Sequence, residues 1–302
     1  MATIWIDGEW HDKSTGKVSV YDHGLLYGDG IFEGIRAYGG KIFRLGEHLD
    51  RLYDSAKAIA LEIRYPKAEL GKVIEQAVAR SGLDDAYIRP IITRGIGDLG
   101  IDARKCPRAT TIVIVDTIMV WAPERYDQGL SLVTAGTPIP HREALSPRVK
   151  SLNYLAHVMA KMEGNVAGAD EVLMLDTAGW VCEGSGQNLF VVKGRTVRTP
   201  PASAGILLGV TRKAVMELAL EAGLEIREEL LNRYDVYTAD EAFLTGTASE
   251  IVGIRSLDGR NIGQGKPGPI TRDLTARFRE LVRADDPRAL PGVEGRIAKV
   301  ES

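Results

Sequence analysis

Ser146-Pro-Arg-Val-Lys-Ser-Leu-Asn-Tyr154 is the stretch around which the rest of the chain is organised. It sets Lys150 between a proline-bounded approach and a helical pattern expected to run from Leu152 to about Gly164. Leu152, Leu155, Met159 and Met162 recur at three- and four-residue spacing, the mark of one apolar helix face. On such a turn Asn153 and Tyr154 would lie one turn beyond Lys150 and share its surroundings. A lysine at the mouth of a cavity with a phenol close by suits a Schiff-base nucleophile, provided its ammonium is desolvated or set near other cations. Taken alone, a lysine is more often a solvated surface residue. The rest of the chain decides between these readings.

At 302 residues, with 44% hydrophobic and 26% charged, the sequence reads as a globular protein long enough for two domains. A formal net charge of -3 gives no reason to expect nucleic acid or an anionic membrane as partner. The start, Met1-Ala-Thr-Ile-Trp-Ile-Asp7, lacks the basic head and apolar core of a signal peptide, and no apolar run reaches a membrane span of roughly 20 residues. Cys106 and Cys182 form neither a disulfide framework nor a C-x-x-C pair, so a cytoplasmic, reducing setting is expected. The histidines at 11, 23, 48, 141 and 157 fall in no ligand pattern, and no metal site is expected.

Ile4 to Trp10 reads as strand, Asp-Gly turn, strand, and Tyr27 to Phe43 as a second hairpin closed by Gly39-Gly40. Glycines at 28, 30 and 34 in its first arm point to a bulge or a close backbone approach. Helices are expected over Gly46–Leu61 and Ala68–Arg80, and buried strands over Ala86–Thr93 and Ala109–Val120. Tyr87 and Arg89 alternate with apolar neighbours, so they share a strand face where a buried arginine needs an anionic partner. Proline-broken Trp121–Gly129 is the expected domain joint. Beyond it, strands at Leu130–Ala135 and Glu171–Asp176 flank the Lys150 helix. A helix over Thr211–Ala222, strands near Ile226, Val236 and Ala242–Leu244, and a last helix over Ile270–Val282 follow. The class is α+β, with a small domain over 1–120, a joint at 121–130, a larger domain over 131–283 and a loosely held tail over 284–302.

Three features of the second half suit one ligand. Gly209-Val-Thr-Arg212 opens a helix whose free amides and positive dipole end could seat a phosphate, though Thr211 could equally be only a cap. Thr245-Gly-Thr-Ala-Ser249 places three hydroxyls after a strand, where amides can also point into a cleft, although an ordinary turn has the same composition. Glu183, in Cys182-Glu-Gly-Ser-Gly186, is an acid with little bulk around it and suits a ring nitrogen. A lysine for an aldehyde, an acid for a ring nitrogen, and amides, threonines and an arginine for a phosphate are together the requirements of pyridoxal phosphate.

Seven motifs in order carry a resemblance. They are Tyr27-x4-Phe32-Glu-Gly-Ile-Arg36-x-Tyr38, Glu47-His-Leu-Asp-Arg51-Leu, Ala86-Tyr-Ile-Arg-Pro90, Lys150-x2-Asn-Tyr154, Glu183-Gly-x-Gly-x-Asn-Leu-Phe190, Leu208-Gly-Val-Thr-Arg212 and Gly246-Thr-Ala-x-Glu250. The chain thereby resembles the branched-chain amino acid aminotransferases of pyridoxal-phosphate fold type IV, from about Ile4 to Val282. The resemblance implies a small α/β domain beside a larger pseudo-barrel, and transamination of leucine, isoleucine and valine with 2-oxoglutarate. It implies that Lys150 joins the cofactor aldehyde and shuttles the proton, while Glu183 keeps the pyridine nitrogen protonated. Arg51, Val210, Thr211 and Thr247 would bind the phosphate, Leu207 would pack on the ring and Tyr154 would bond its hydroxyl. The amides of Thr247 and Ala248 would receive the substrate carboxylate. Tyr27, Phe32, Arg36, Tyr87 and Arg89 would shape the pocket, with Arg89 meeting the distal carboxylate of glutamate. The loop Gly97–Ile101 would reach a neighbouring subunit's pocket, which makes a homodimer the minimum assembly. The two-residue gap after Lys150 is also that of D-amino-acid aminotransferases and aminodeoxychorismate lyases of the same fold. A D-amino-acid or (R)-amine transaminase and such a lyase are therefore the alternatives.

Overall fold

A computed structural model describes residues 2–284 and 298–299. The chain divides into two compact units: one runs to Ile118 and takes in Val149–Asn153, the other comprises Met119–Arg148 and the chain from Tyr154 onward. Lys150 thus falls within the first unit.

The first unit contains β1 (Thr3–Ile6), β2 (Glu9–His11), α1 (His23–Tyr27), β3 (Gly30–Phe32), β4 (Ile35–Tyr38), β5 (Lys41–Ile42), α2 (Leu45–Ala58), α3 (Lys67–Ser81), β6 (Ala86–Thr93) and β7 (Thr110–Asp116). Its antiparallel sheet runs β2-β1-β7-β6-β4-β5, with β3 also on β6. Alternation divides the sheet into two faces. Ile31, Ile35, Ile88 and Ile92 enter a core with Leu49, Leu52 and Ala56 of α2 and Leu70, Ile74 and Ala77 of α3. Phe32, Arg36, Tyr87 and Arg89 occupy alternate positions on the same strands. β3 and β4 pair with β6 in one register, Phe32 with Ile91 and Ile35 with Ile88. The break between them falls opposite Pro90. The Glu33 amide donates to the Pro90 carbonyl (2.9 Å), but proline has no N–H to return the bond.

The second unit contains α4 (Pro123–Gln128), β8 (Leu130–Thr134), α5 (Leu155–Val166), β9 (Glu171–Leu175), β10 (Val181–Glu183), β11 (Asn188–Lys193), β12 (Thr196–Thr199), α6 (Val210–Glu221), β13 (Glu225–Glu228), α7 (Arg233–Tyr237), β14 (Glu241–Gly246), β15 (Glu250–Leu257), β16 (Arg260–Asn261), α8 (Pro269–Arg283) and β17 (Ala298–Lys299). Its strands run β10-β9-β8-β15-β14-β11-β12-β13-β17, and a further β10–β11 pairing closes the first six into a ring. Leu132, Leu173, Leu189, Leu244, Val252 and Ile254 form part of its core. On the other face of β11 and β14, Phe190 and Phe243 stack with ring centroids 5.0 Å apart. The expected fold class, fold type IV with a barrel-like larger domain, is the one observed.

Several local expectations are corrected. The helix after Lys150 begins at Leu155, not Leu152. The preceding residues form an extended edge instead: Ser151 bridges Ile31, and the Leu152 amide donates to the Gly30 carbonyl (2.9 Å). Nor does α5 bury its large apolar residues. It buries Ala160 and Gly164, the latter so close to Val172 that a Cβ would lie 2.7 Å from Cγ1. Leu155, Met159 and Met162 stay exposed, the last by 60%. Residues 123–128 of the expected joint form α4. Val236 lies in α7 and not in a strand, because Asn232 and Asp235 make a reciprocal capping box there. Of the expected tail, only Ala284 and β17 lie among the described residues, and β17 pairs in parallel with β13.

Candidate active site

In the first unit, Lys150 is fixed through its backbone. Its carbonyl accepts from the Phe32 amide (2.9 Å) and its amide donates to Ser55 Oγ (3.3 Å). Its Nζ stands 4.5 Å from the centroid of the Phe32 ring. The Arg89 guanidinium lies 4.7 Å from the same ring and 5.2 Å from that of Tyr87, whose hydroxyl accepts from Nη2 (2.7 Å). Arg89 has no carboxylate partner among the described residues, and its Nε is buried without a hydrogen-bond acceptor. Arg36 lies along its own strand over Tyr38. The first unit therefore gathers Lys150, Phe32, Tyr87 and Arg89 into one aromatic and cationic cluster. Tyr27 has another contact: its hydroxyl accepts from the Gly100 amide (2.7 Å) and so ties down the loop carrying Ile101, which is 86% exposed. Asn153, expected to face Lys150's surroundings, is turned to the Gly28 carbonyl (3.0 Å).

Behind this cluster, on the core side of the sheet, lies a charged group that the sequence reasoning missed. Glu33 is fully buried, and its two oxygens accept from Arg51 Nε (2.6 Å) and Nη2 (2.8 Å). His48 Nδ1 lies 2.8 Å from Glu33 Oε2. Burial pushes the Glu33 carboxyl up, but the Arg51 charge and the His48 contact outweigh it and hold it well below the usual carboxylate range. Burial lowers the basicity of His48, aided by the charges of Arg51 and Lys150 and against the pull of Glu33. The ring is therefore neutral, with Nδ1–H donating, because a carboxylate can only accept. A signal for the group does exist in the sequence: positions 48, 51 and 55 repeat at helical spacing on α2, and Glu33 belongs to the quoted Phe32-Glu-Gly motif.

In the second unit, Glu183 lies at the seam that closes the ring of strands, where its Cα partner is Asn188. Its Oε2 accepts from Asn188 Nδ2 (3.0 Å) and from the Leu207 amide (3.2 Å). Asn188 Nδ2 also reaches the Leu207 carbonyl (2.8 Å), and a Cβ on Gly209 would lie 2.2 Å from its Oδ1. This asparagine thus joins the acid, the Leu207 segment and the entrance of α6, a role that sequence reasoning did not assign. Gly209 is the N-cap of α6 and supplies no side-chain bond, so Thr211, buried at the second helical position, is not a cap. Arg212 is spent on structure, with Nη2 bound to Glu228 (2.7 Å) and the Pro200 carbonyl (2.9 Å). In the turn after β14, Thr247 and Ala248 are half-buried, while the Thr245 and Ser249 hydroxyls are buried with no hydrogen-bond partner. The Gly186 carbonyl would lie 3.4 Å from a Cβ on Gly246, which brings this turn beside the Glu183 loop. Tyr154 precedes α5 and stacks on His157, centroids 4.7 Å apart.

Among the described residues, no helix is long and apolar enough to cross a membrane, and no group of three or more His, Cys, Asp or Glu could hold a metal. Burial pushes the Cys182 thiol up, and its Sγ donates to the Ala204 carbonyl (2.9 Å), so it is no nucleophile.

Comparison with known proteins shows the family of the chain. The branched-chain-amino-acid aminotransferase of Pseudomonas aeruginosa is 39% identical over 293 residues, covering 92% of each chain. The solved branched-chain amino acid aminotransferase of T.th. with pyridoxamine 5'-phosphate superposes with a TM-score of 0.90 at 36% identity, covering 94% of this chain and 95% of that one. The same enzyme complexed with N-(5'-phosphopyridoxyl)-L-glutamate gives a TM-score of 0.88 at 36% identity and the same coverage. The family model described as Amino-transferase class IV matches residues 30–257. The chain belongs to the class IV aminotransferases.

Proposed function

We propose that the protein transfers the amino group of L-leucine, L-isoleucine and L-valine to 2-oxoglutarate, with pyridoxal 5'-phosphate as cofactor. The observation that carries the substrate reading is Arg89. A guanidinium held between the Phe32 and Tyr87 rings, with no carboxylate partner among the described residues, can receive the distal carboxylate of glutamate or 2-oxoglutarate. The same rings offer an apolar wall to a branched aliphatic side chain. A solved relative bound to a phosphopyridoxyl-glutamate conjugate supports the same pairing.

The residues present fit the cofactor. The buried, unpaired hydroxyls of Thr245 and Ser249, together with the uncapped α6 amides, offer donors for anions. When bound, pyridoxal 5'-phosphate supplies an aldehyde for amines and a ring that accepts the electrons of the substrate Cα–H bond. In this reading the Lys150 amine would hold that aldehyde and would take up and return the proton of the substrate Cα. The Glu183 carboxylate keeps the ring nitrogen protonated, and Tyr154 donates to or accepts from the ring hydroxyl. Arg51, the Val210 amide, Thr211 and Thr247 bind the phosphate, and Leu207 packs against the ring. The Thr247 and Ala248 amides hold the substrate α-carboxylate, while Tyr27, Arg36 and Ile101 complete the pocket wall. A homodimer belongs to the reading. The exposed apolar side chains of α5 and of the loop ending at Ile101 support it. Unpaired Cys106 and Cys182 support a cytoplasmic setting.

The test is a panel of amino donors of both chiralities with 2-oxoglutarate, recorded alongside the visible spectrum of the enzyme. Turnover of the three L-branched-chain donors is expected, and turnover confined to D-amino acids or (R)-amines would overturn the substrate reading. Lys150→Ala should lose turnover and the borohydride-stable cofactor adduct together.

A further inference from the structure

We infer that Glu33 is a positioning residue for the phosphate-binding guanidinium of Arg51. The inference rests on the phosphate role proposed for Arg51 and adds what makes that role possible. An arginine side chain has many rotamers, and a phosphate-binding role needs one of them selected. The buried Glu33 carboxylate selects it. Its oxygens take the Nε–Nη2 edge in two parallel bonds of 2.6 and 2.8 Å, which fixes the plane of the guanidinium and the direction of its remaining edge. Glu33 is itself held on every side. Its amide bonds the Pro90 carbonyl (2.9 Å), and its Oε2 also accepts from the Gly34 amide (3.2 Å) and from His48 Nδ1 (2.8 Å). Gly34 is fixed in turn, because a Cβ there would lie 2.4 Å from the Tyr87 hydroxyl.

The charge count gives this arrangement its meaning. Glu33 is ionised, Arg51 is charged and His48 is neutral, so the three together carry no net charge. Such a cluster attracts a phosphate weakly by charge alone and binds it through directed N–H groups. Two accounts of Glu33 therefore predict opposite signs. If it merely offsets the Arg51 charge, its removal tightens phosphate binding. If it aims Arg51, its removal weakens it.

The experiment uses the whole chain freed of cofactor and compares dissociation constants for pyridoxal 5'-phosphate and for pyridoxal, read from quenching of tryptophan fluorescence. The preference for the phosphorylated form isolates the phosphate contribution and is internal to each variant, so a general structural loss cancels. Arg51→Gln should lower that preference. Glu33→Gln should lower it by about tenfold to a hundredfold, the range of a lost charge-assisted pair. The double variant should match Arg51→Gln alone, since Glu33 acts only through Arg51. Glu33→Asp keeps the charge but withdraws the carboxylate by one methylene, and it too should lower the preference. If Arg51→Gln leaves it intact, both the phosphate role and the positioning fail. If Arg51→Gln lowers it while Glu33→Gln leaves it unchanged or raises it, or if the two losses add, the positioning alone is overturned.

Discussion

Replacing Arg89 by glutamine should separate the two substrates. The guanidinium makes one hydrogen bond to the Tyr87 hydroxyl (2.7 Å) and lies over the rings of Phe32 and Tyr87 at 4.7 and 5.2 Å. For leucine the substitution removes packing and a cation–π contact, about 1 kcal/mol. For glutamate the same loss applies and, in addition, a carboxylate is left without its cationic partner in a partly buried place, which costs about 2–5 kcal/mol more. With each 1.4 kcal/mol a factor of ten, the kcat/KM ratio of glutamate to leucine should fall by roughly 30-fold to a few thousand-fold. Steady-state kinetics with each donor in turn measures it. Equal losses for the two donors would refute the assignment of Arg89 to the distal carboxylate.

Other outcomes follow from the same geometry. Asn188→Ala removes the donor shared by Glu183 and the Leu207 carbonyl and should lower stability by about 2–4 kcal/mol in urea unfolding; a loss under about 1 kcal/mol would mean that the seam does not depend on it. Gly209→Ala drives a methyl to within 2.2 Å of Asn188 Oδ1 and should weaken pyridoxal 5'-phosphate binding more than pyridoxal binding, as fluorescence titration would reveal. For pH, the unfolded chain binds more protons than the folded one at His48 below 6.5 and at Glu33 below 4.5, because both groups are depressed on folding. Stability should therefore be fullest above pH 6.5, decline as pH falls through it and steepen below 4.5, by about 1.4 kcal/mol per pH unit per proton. His48→Gln should remove the upper part of this decline, and an unchanged profile would show that His48 is not neutral in the native state.

Motifs bring more of this molecule into view than periodicity does. The β6 strand is legible to the residue, because β-branched positions alternate with Tyr87 and Arg89 on a strand buried on one face. The Lys150 segment misleads because Leu152, Leu155, Met159 and Met162 do keep helical spacing, yet the backbone at Ser151 is committed to Ile31. Burial on α5 follows small residues, where close approach to β9 matters more than hydrophobicity. Glu33 escapes a reading of the sequence since a buried acid shows no pattern until its partners, 15 and 18 positions away, are placed beside it. Asn188 escapes for a similar reason: its bonds to Glu183 and Leu207 exist only once the ring of strands closes.

The brief return of Val149–Asn153 to the first unit has a bearing on how the chain can be made and cut. Truncation after Ile118 would give a fragment in which the Phe32 amide and the Gly30 carbonyl have lost their ladder partners, since those belong to Lys150 and Leu152. During synthesis this edge of β3 must wait until the ribosome has released about thirty further residues, and the segment carrying Lys150 is the piece that completes it. Completion of this sheet edge and arrival of Lys150 are thus a single event, and an independently expressed N-terminal fragment should gain order when a synthetic peptide spanning that segment is added.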